Sequence, residues 1–219
     1  VTKRALAVLL ATATVFAAVG LYIGLYLTAH PGTAVASPSP GGGVSLNLAT
    51  VPAAEPNDPH PTWVSYYVVD AHGQNWKHDT TWQVPANTLV HVTIYQYDGA
   101  SGLRNNFLAQ STGTVGGTFD VNGKQTRAIN PDVPSHVFAI PALGVSVPLP
   151  GVSANAKNQC SNAPCSPSQA NNKVTFTFRT GAKGLYRWQC FVPCAAGYID
   201  GLGGPMATVG YMDGFLKVV

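Results

Sequence analysis

The ten residues Thr88-Leu89-Val90-His91-Val92-Thr93-Ile94-Tyr95-Gln96-Tyr97 decide the fold class. Val90, Val92 and Ile94 share one parity, and His91, Thr93 and Tyr95 the other. Successive side chains of a strand point to opposite faces, so this alternation predicts a β-strand with Val90, Val92 and Ile94 turned into a core. Val174–Arg179 repeats the pattern, with Val174, Phe176 and Phe178 alternating with Thr175, Thr177 and Arg179. Working outward, further strands are expected at Trp63–Asp70, Trp82–Val84, Ser135–Ile140, Leu185–Cys190 and Phe215–Val219. No 3.6-residue period is evident beyond residue 62, and 23 Gly and 17 Pro punctuate the chain. Short strands between Gly/Pro turns predict an all-β, antiparallel sandwich.

The N-terminal end reads differently. Ala5–Ala29 carries no charge and is apolar apart from Thr and Tyr. Its length exceeds the ~20 residues that cross a bilayer core. With Lys3 and Arg4 ahead of it, residues 1–29 are expected to be a single-pass anchor, N-terminus cytoplasmic and the rest extracytoplasmic. Ala34-Val35-Ala36 offers a signal-peptidase pattern, but signal cores are only ~7–15 residues long. Residues 30–61, rich in Pro and Gly, read as a spacer. Residues 62–219 read as one domain with insertions at about 98–134 and 151–172. The first insertion contains an expected hairpin turning at Asn122-Gly123, and an Asp98–Arg104 pair is expected to pin it.

Composition narrows the function. Only 10% of the 219 residues are charged and the formal charge is +3. Without Lys3 and Arg4, ten bases face nine acids, which leaves no electrostatic footprint for nucleic acid. Gly201-Leu202-Gly203-Gly204-Pro205 lacks the ending of a phosphate loop, and no serine lies in a nucleophile-elbow context. The chain is not expected to be catalytic alone.

The four cysteines carry the remaining signal. In an exported chain cysteines pair by default. Cys160 and Cys165, in a polar loop, are expected to form a local disulfide. Cys190-Phe191-Val192-Pro193-Cys194 follows an aromatic strand (Tyr186, Trp188) and precedes a Gly-rich loop, Met212-Asp213-Gly214 and a closing strand. Thiolates are soft ligands suited to copper, and a loop between the last two strands can hold a Cys/His/Met set. The other reading is a second disulfide, Cys190–Cys194, with Met206 and Met212 filling the core. Both readings stay open on the residues alone.

Two segments resemble one family. Pro134-Ser-His136-Val-Phe-Ala-Ile-Pro141-Ala-Leu-Gly144 is similar to a strand of cytochrome c oxidase subunit II, "His-x-Phe-x-(Ile/Val)-Pro-x-Leu-Gly". Gly184-Leu-Tyr-Arg-Trp-Gln-Cys190-x-x-x-Cys194 resembles that family's strand and copper loop, and Met212-Asp-Gly214 its "Met-x-Gly". The resemblance implies a cupredoxin-like Greek-key sandwich and a metal set of His136, Cys190, Cys194, Met212 and the carbonyl of Val192. It also implies partners among integral-membrane oxidoreductase subunits, of heme-copper oxidase or copper monooxygenase type. The departure from the family is a missing ligand: its second histidine corresponds to Tyr198, and no histidine follows His136. His72, His78 or His91 would have to supply that imidazole from elsewhere. The cofactor is therefore copper or none. The functions implied are electron transfer or a copper-free docking subunit; a non-redox envelope interaction protein and a Cu(I) carrier using Cys190, Cys194 and His136 are the alternatives.

Overall fold

The computed structural model describes residues 2–22, 32–195 and 204–219. The chain divides into two units, residues 1–30 and 31–219. In the first, helix α1 (Lys3–Tyr22) carries no charge after Arg4 and is predominantly apolar. At 1.5 Å per residue it reaches about 30 Å, the thickness of a bilayer core. Membrane spans and signal sequences share this length and composition. Residues 23–29 of the expected anchor lie outside the described residues.

The second unit is a β-sandwich. Its strands are β1 (Thr33–Val35), β2 (Ser37–Pro38), β3 (Val44–Val51), β4 (Ser65–Val68), β5 (Thr81–Val84), β6 (Leu89–Gln96), β7 (Phe119–Val121), β8 (Lys124–Thr126), β9 (Pro134–Ile140), β10 (Val145–Pro150), β11 (Asn172–Arg179), β12 (Gly184–Gln189) and β13 (Asp213–Val218). One sheet runs β2-β3-β6-β11-β7-β8, with β4 also on β3; the other runs β1-β5-β13-β12; β9 and β10 form a hairpin. The architecture is cupredoxin-like, with the last two strands adjacent and the cysteine loop between them. The alternation over 88–97 reads correctly: Val90, Val92 and Ile94 are buried and pair with β11 across the sheet.

Three expectations change. The sandwich is mixed rather than antiparallel, because β3–β6, β1–β5 and β5–β13 pair in parallel. The expected spacer at 30–61 is also part of the domain. Val44-Ser45-Leu46-Asn47-Leu48 has its own period of two, and β3 lies next to β6 inside the large sheet. Glycines 42 and 43 turn β2 into β3 with φ of +87° and +75°, a region that favours glycine. Strand β10 likewise lies where no strand was expected. Pro148 and Pro150 lack N–H donors, yet β10 tolerates them because its edge away from β9 is bridged at Ser146, by Thr112, and not at either proline. The hairpin at Asn122-Gly123 forms as expected, with φ of +53° and +85°.

Between the sheets, Trp82 and Trp188 stack at 4.4 Å with Tyr66 edge-on to Trp188. Their indole N–H groups donate to the carbonyls of Asp79 and Thr80, each at 2.9 Å. Buried aromatics of this size dominate a core once their polar atoms are satisfied. Gly214 makes the junction of β12 with β13 tight: a Cβ there would lie 2.7 Å from the Trp188 ring and against the Thr80 carbonyl. On the outer face of the large sheet Ala49, Val51, Tyr67 and Tyr97 are covered by Cys160, Ala163 and Cys165. The 151–172 insertion is thus a lid over a sheet face. Trp82 and Tyr211 are also buried.

Candidate metal centre

Three donors meet at one end of the sandwich. His136 lies on β9, every residue of which is buried, and is itself 0% exposed. Cys190 directly follows β12 and extends its pairing with β13, donating its N–H to the Met212 carbonyl at 2.9 Å. Cys194 is reached by a tight reversal in which its N–H donates to the Val192 carbonyl at 2.6 Å. The result is Cys190 Sγ 3.5 Å from Cys194 Sγ and 3.9 Å from His136 Nδ1, all three donors within 4.8 Å of one another. Both thiols are unbonded in this structure, and Cys160 and Cys165 form a disulfide.

The pair is polarised. Burial alone would raise the Cys190 pKa, but hydrogen bonds from Cys194 and His136, with the Val137 N–H at 3.4 Å, hold it well below the ordinary thiol value. Cys194 is pushed up, by its hydrogen bond to Cys190 and then by burial. Burial would lower His136, yet the Asp98 carboxylate and Cys190 outweigh it and bring it to about 9. Hydrogen bonds to an ionised form stabilise it. Within the cluster, the surroundings therefore favour negative charge at Cys190 and positive charge at His136.

Sequence reasoning missed Asp98. Its Oδ2 accepts from His136 Nε2 at 3.0 Å. The expected Asp98–Arg104 pair does not form, because Arg104 reaches Asp132 at 2.7 Å at the surface while Asp98 turns inward. A single acid among low-charge loop residues was the available signal, but its partner lies 38 positions away.

The other expected ligands fare unequally. The Val192 carbonyl lies 3.7 Å from Cys190 Sγ. Met212 is fully buried, and its backbone is tied to Cys190 and to Pro205. None of the three distant histidines joins the cluster. His91 bonds Thr177 and the Gly42 carbonyl, His78 bonds Asp58 at 2.9 Å, and His72 is exposed. Tyr198 lies outside the described residues. Among the described residues, the cluster is a one-imidazole, two-sulfur set.

That set suits copper. Donors ~2.0–2.3 Å from one ion stand roughly 3.5–4 Å apart at tetrahedral to trigonal angles, and the separations of Cys190 Sγ from the other two donors, 3.5 and 3.9 Å, agree with that spacing. Sulfur and imidazole are the ligands that select copper over hard cations. A cavity of about 210 Å³, lined by Asp98, Ser101, Ser135, Pro193 and Cys194, opens onto the half-buried Cys194.

No family model and no curated protein sequence matches this chain. Among solved structures, reduced rusticyanin is 19% identical over 85% of this chain and 84% of its own, with a TM-score of 0.35. Rusticyanin from Thiobacillus ferrooxidans is 19% identical over 85% and 82%, with a TM-score of 0.34. A heme-copper terminal oxidase dimer is 12% identical over 99% and 98%, with a TM-score of 0.29. At these scores the likenesses do not bear on the ligand set, which stands on the geometry above.

Proposed function

We propose that this chain is a copper-binding, cupredoxin-like module tethered to a membrane, passing single electrons within an integral-membrane oxidoreductase complex of heme-copper oxidase or copper monooxygenase type. One observation carries the reading: His136 and two unbonded cysteines, 54 and 58 positions on in the sequence, converge in a buried site already polarised toward thiolate. Copper, when bound, supplies a one-electron couple. The chain supplies His136, Cys190 and Cys194 as donors, with Met212 and the Val192 carbonyl completing the set. It also supplies a rigid frame, since the loop is pinned to β9 and β13. Rigid, water-poor sites need little reorganisation when charge moves.

Two further features support tethering and docking. Cleavage after Ala36 would remove β1 from its pairing with β5, so a retained α1 fits the fold better. Phe191, next to Cys190, joins Phe107 and Leu108 in a groove without charged residues, suited to a partner's apolar surface. The Cu(I)-carrier reading is favoured by a different observation: a single imidazole with two thiols, beside a cavity that gives access to Cys194. Metal analysis and a visible spectrum of the natively purified full chain test these readings. An electron-transfer centre gives bound copper with strong visible absorption when oxidised. A carrier gives colourless Cu(I) that chelators remove. Metal-free protein with Cys190 and Cys194 oxidised overturns both and leaves a scaffold.

A further inference from the structure

The Asp98–His136 contact is built more firmly than a chance pairing. Asp98 follows β6, at the start of the insertion, and every polar group that could let it drift is tied. Its N–H donates to Gln96 Oε1 at 2.7 Å, and its carbonyl accepts from Gln96 Nε2 at 3.0 Å and from the Val152 N–H at 2.8 Å. Gln96 is fully buried and is itself held by Thr50, whose hydroxyl donates to Gln96 Oε1 at 2.9 Å. The carboxylate is fixed at both oxygens, Oδ1 by the Gly99 N–H and Oδ2 by His136 Nε2. Buried polar networks are costly unless every member is satisfied, and this one is satisfied through to the imidazole.

The consequence is directional. An imidazole has two nitrogens, and the hydrogen bond made by one decides which is left to bind. Here Nε2 is committed to Asp98, while Nδ1 faces the sulfurs. We propose that Asp98 is the positioning residue of the copper site: it fixes His136 with Nδ1 toward Cys190 and Cys194 and adds a negative charge one residue removed from the ion. The charge favours the more oxidised ion, and the fixed ring removes an orientational cost of binding. Outer-shell partners of this kind alter metal affinity by ~10–100-fold. This inference rests on the copper reading above.

The test uses the full chain, copper itself and Asp98→Asn, which keeps an acceptor oxygen but loses the charge. Wild-type and variant are loaded with Cu(I) in competition with a chelator, and their midpoint potentials are measured. Asp98→Asn is expected to bind Cu(I) ~10–100-fold more weakly and to move the potential in the positive direction. Asp98→Glu, with the charge restored, should move both back toward wild-type. Equal affinity and potential in wild-type and Asp98→Asn overturn the inference while leaving the copper reading intact. A wild-type chain that binds no copper overturns both. Should Asp98→Asn fail to fold, nitrogen NMR of wild-type protein loaded with diamagnetic Cu(I) decides. Metal-bound Nδ1 with protonated Nε2 is expected, and metal on Nε2 overturns the proposal.

Discussion

The two cysteine pairs have nearly the same spacing and opposite chemistry. Cys160 and Cys165 are five positions apart and bonded; Cys190 and Cys194 are four apart and free. What separates them is their surroundings. Around the first pair are the apolar and aromatic residues of the outer sheet face, Ala49, Val51, Tyr67 and Tyr97, with only carbonyl contacts to Asn162 at the sulfurs. Around the second are an imidazole, a backbone N–H and a carboxylate one residue further on, which favour a thiolate over a disulfide partner. The first pair closes a lid over the outer face of the large sheet. The second terminates the strand whose pairing with β13 closes the smaller sheet. A bonded pair and a free pair can therefore be told apart by what hydrogen-bonds the sulfur, even where spacing is ambiguous.

The strongest way to break this comparison is to exchange the fates of the pairs. Cys190→Ser should abolish stoichiometric copper binding and any visible band, and His136→Ala should do the same. Cys160→Ser should leave both untouched. Elemental analysis with a visible spectrum reads all three. Full copper retention in Cys190→Ser would remove the basis for treating the second pair as a site.

The contrast also explains what the sequence made legible. Strands β6 and β11 were readable because one face is buried and the other polar, so alternation survives in the residues. Strand β3 carries the same signal over Val44–Leu48 but sits among prolines and glycines, and local composition masked it. For β10, Pro148 and Pro150 obscure a strand that the sparse pairing of its outer edge permits. His136 and the two cysteines could be grouped because their motifs keep order and spacing along the chain. Asp98 could not, since its contact with His136 exists only once β6 and β9 are placed together in the fold. The Arg104 assignment failed for the same reason: Asp132 is a sequence-distant competitor.

Backbone fit gives the next largest effect. Gly214→Ala places a methyl group against the Trp188 ring and the Thr80 carbonyl. Overpacking of this kind costs about 1–3 kcal/mol, and the upper end is expected because one of the obstructing atoms is backbone. The displacement acts on the junction that aligns Cys190 with Met212, so copper affinity should fall together with the urea midpoint. Tryptophan fluorescence of the full chain follows the unfolding. Removing the staple with Cys160→Ala plus Cys165→Ala should cost about 2 kcal/mol, the chain-entropy value for so short a loop. Here copper affinity should stay unchanged. A staple variant that loses copper would mean the lid and the site are mechanically coupled.

The smallest effect isolates Asp98 from the insertion that it begins. Arg104 and Asp132 form an ion pair with both side chains more than half exposed, and exposed pairs contribute about 0–1 kcal/mol. Arg104→Ala should therefore lower stability by no more than about 0.5 kcal/mol. Its effect should shrink further as salt screens the wild-type pair. Copper affinity and potential should match wild-type, because Asp98 is held by Gln96, Val152 and Gly99 and not by Arg104. Measured beside Asp98→Asn in the same chelator competition, Arg104→Ala separates two ideas. If both variants weaken copper binding, the insertion positions His136 as a unit; if only Asp98→Asn does, the single carboxylate is responsible.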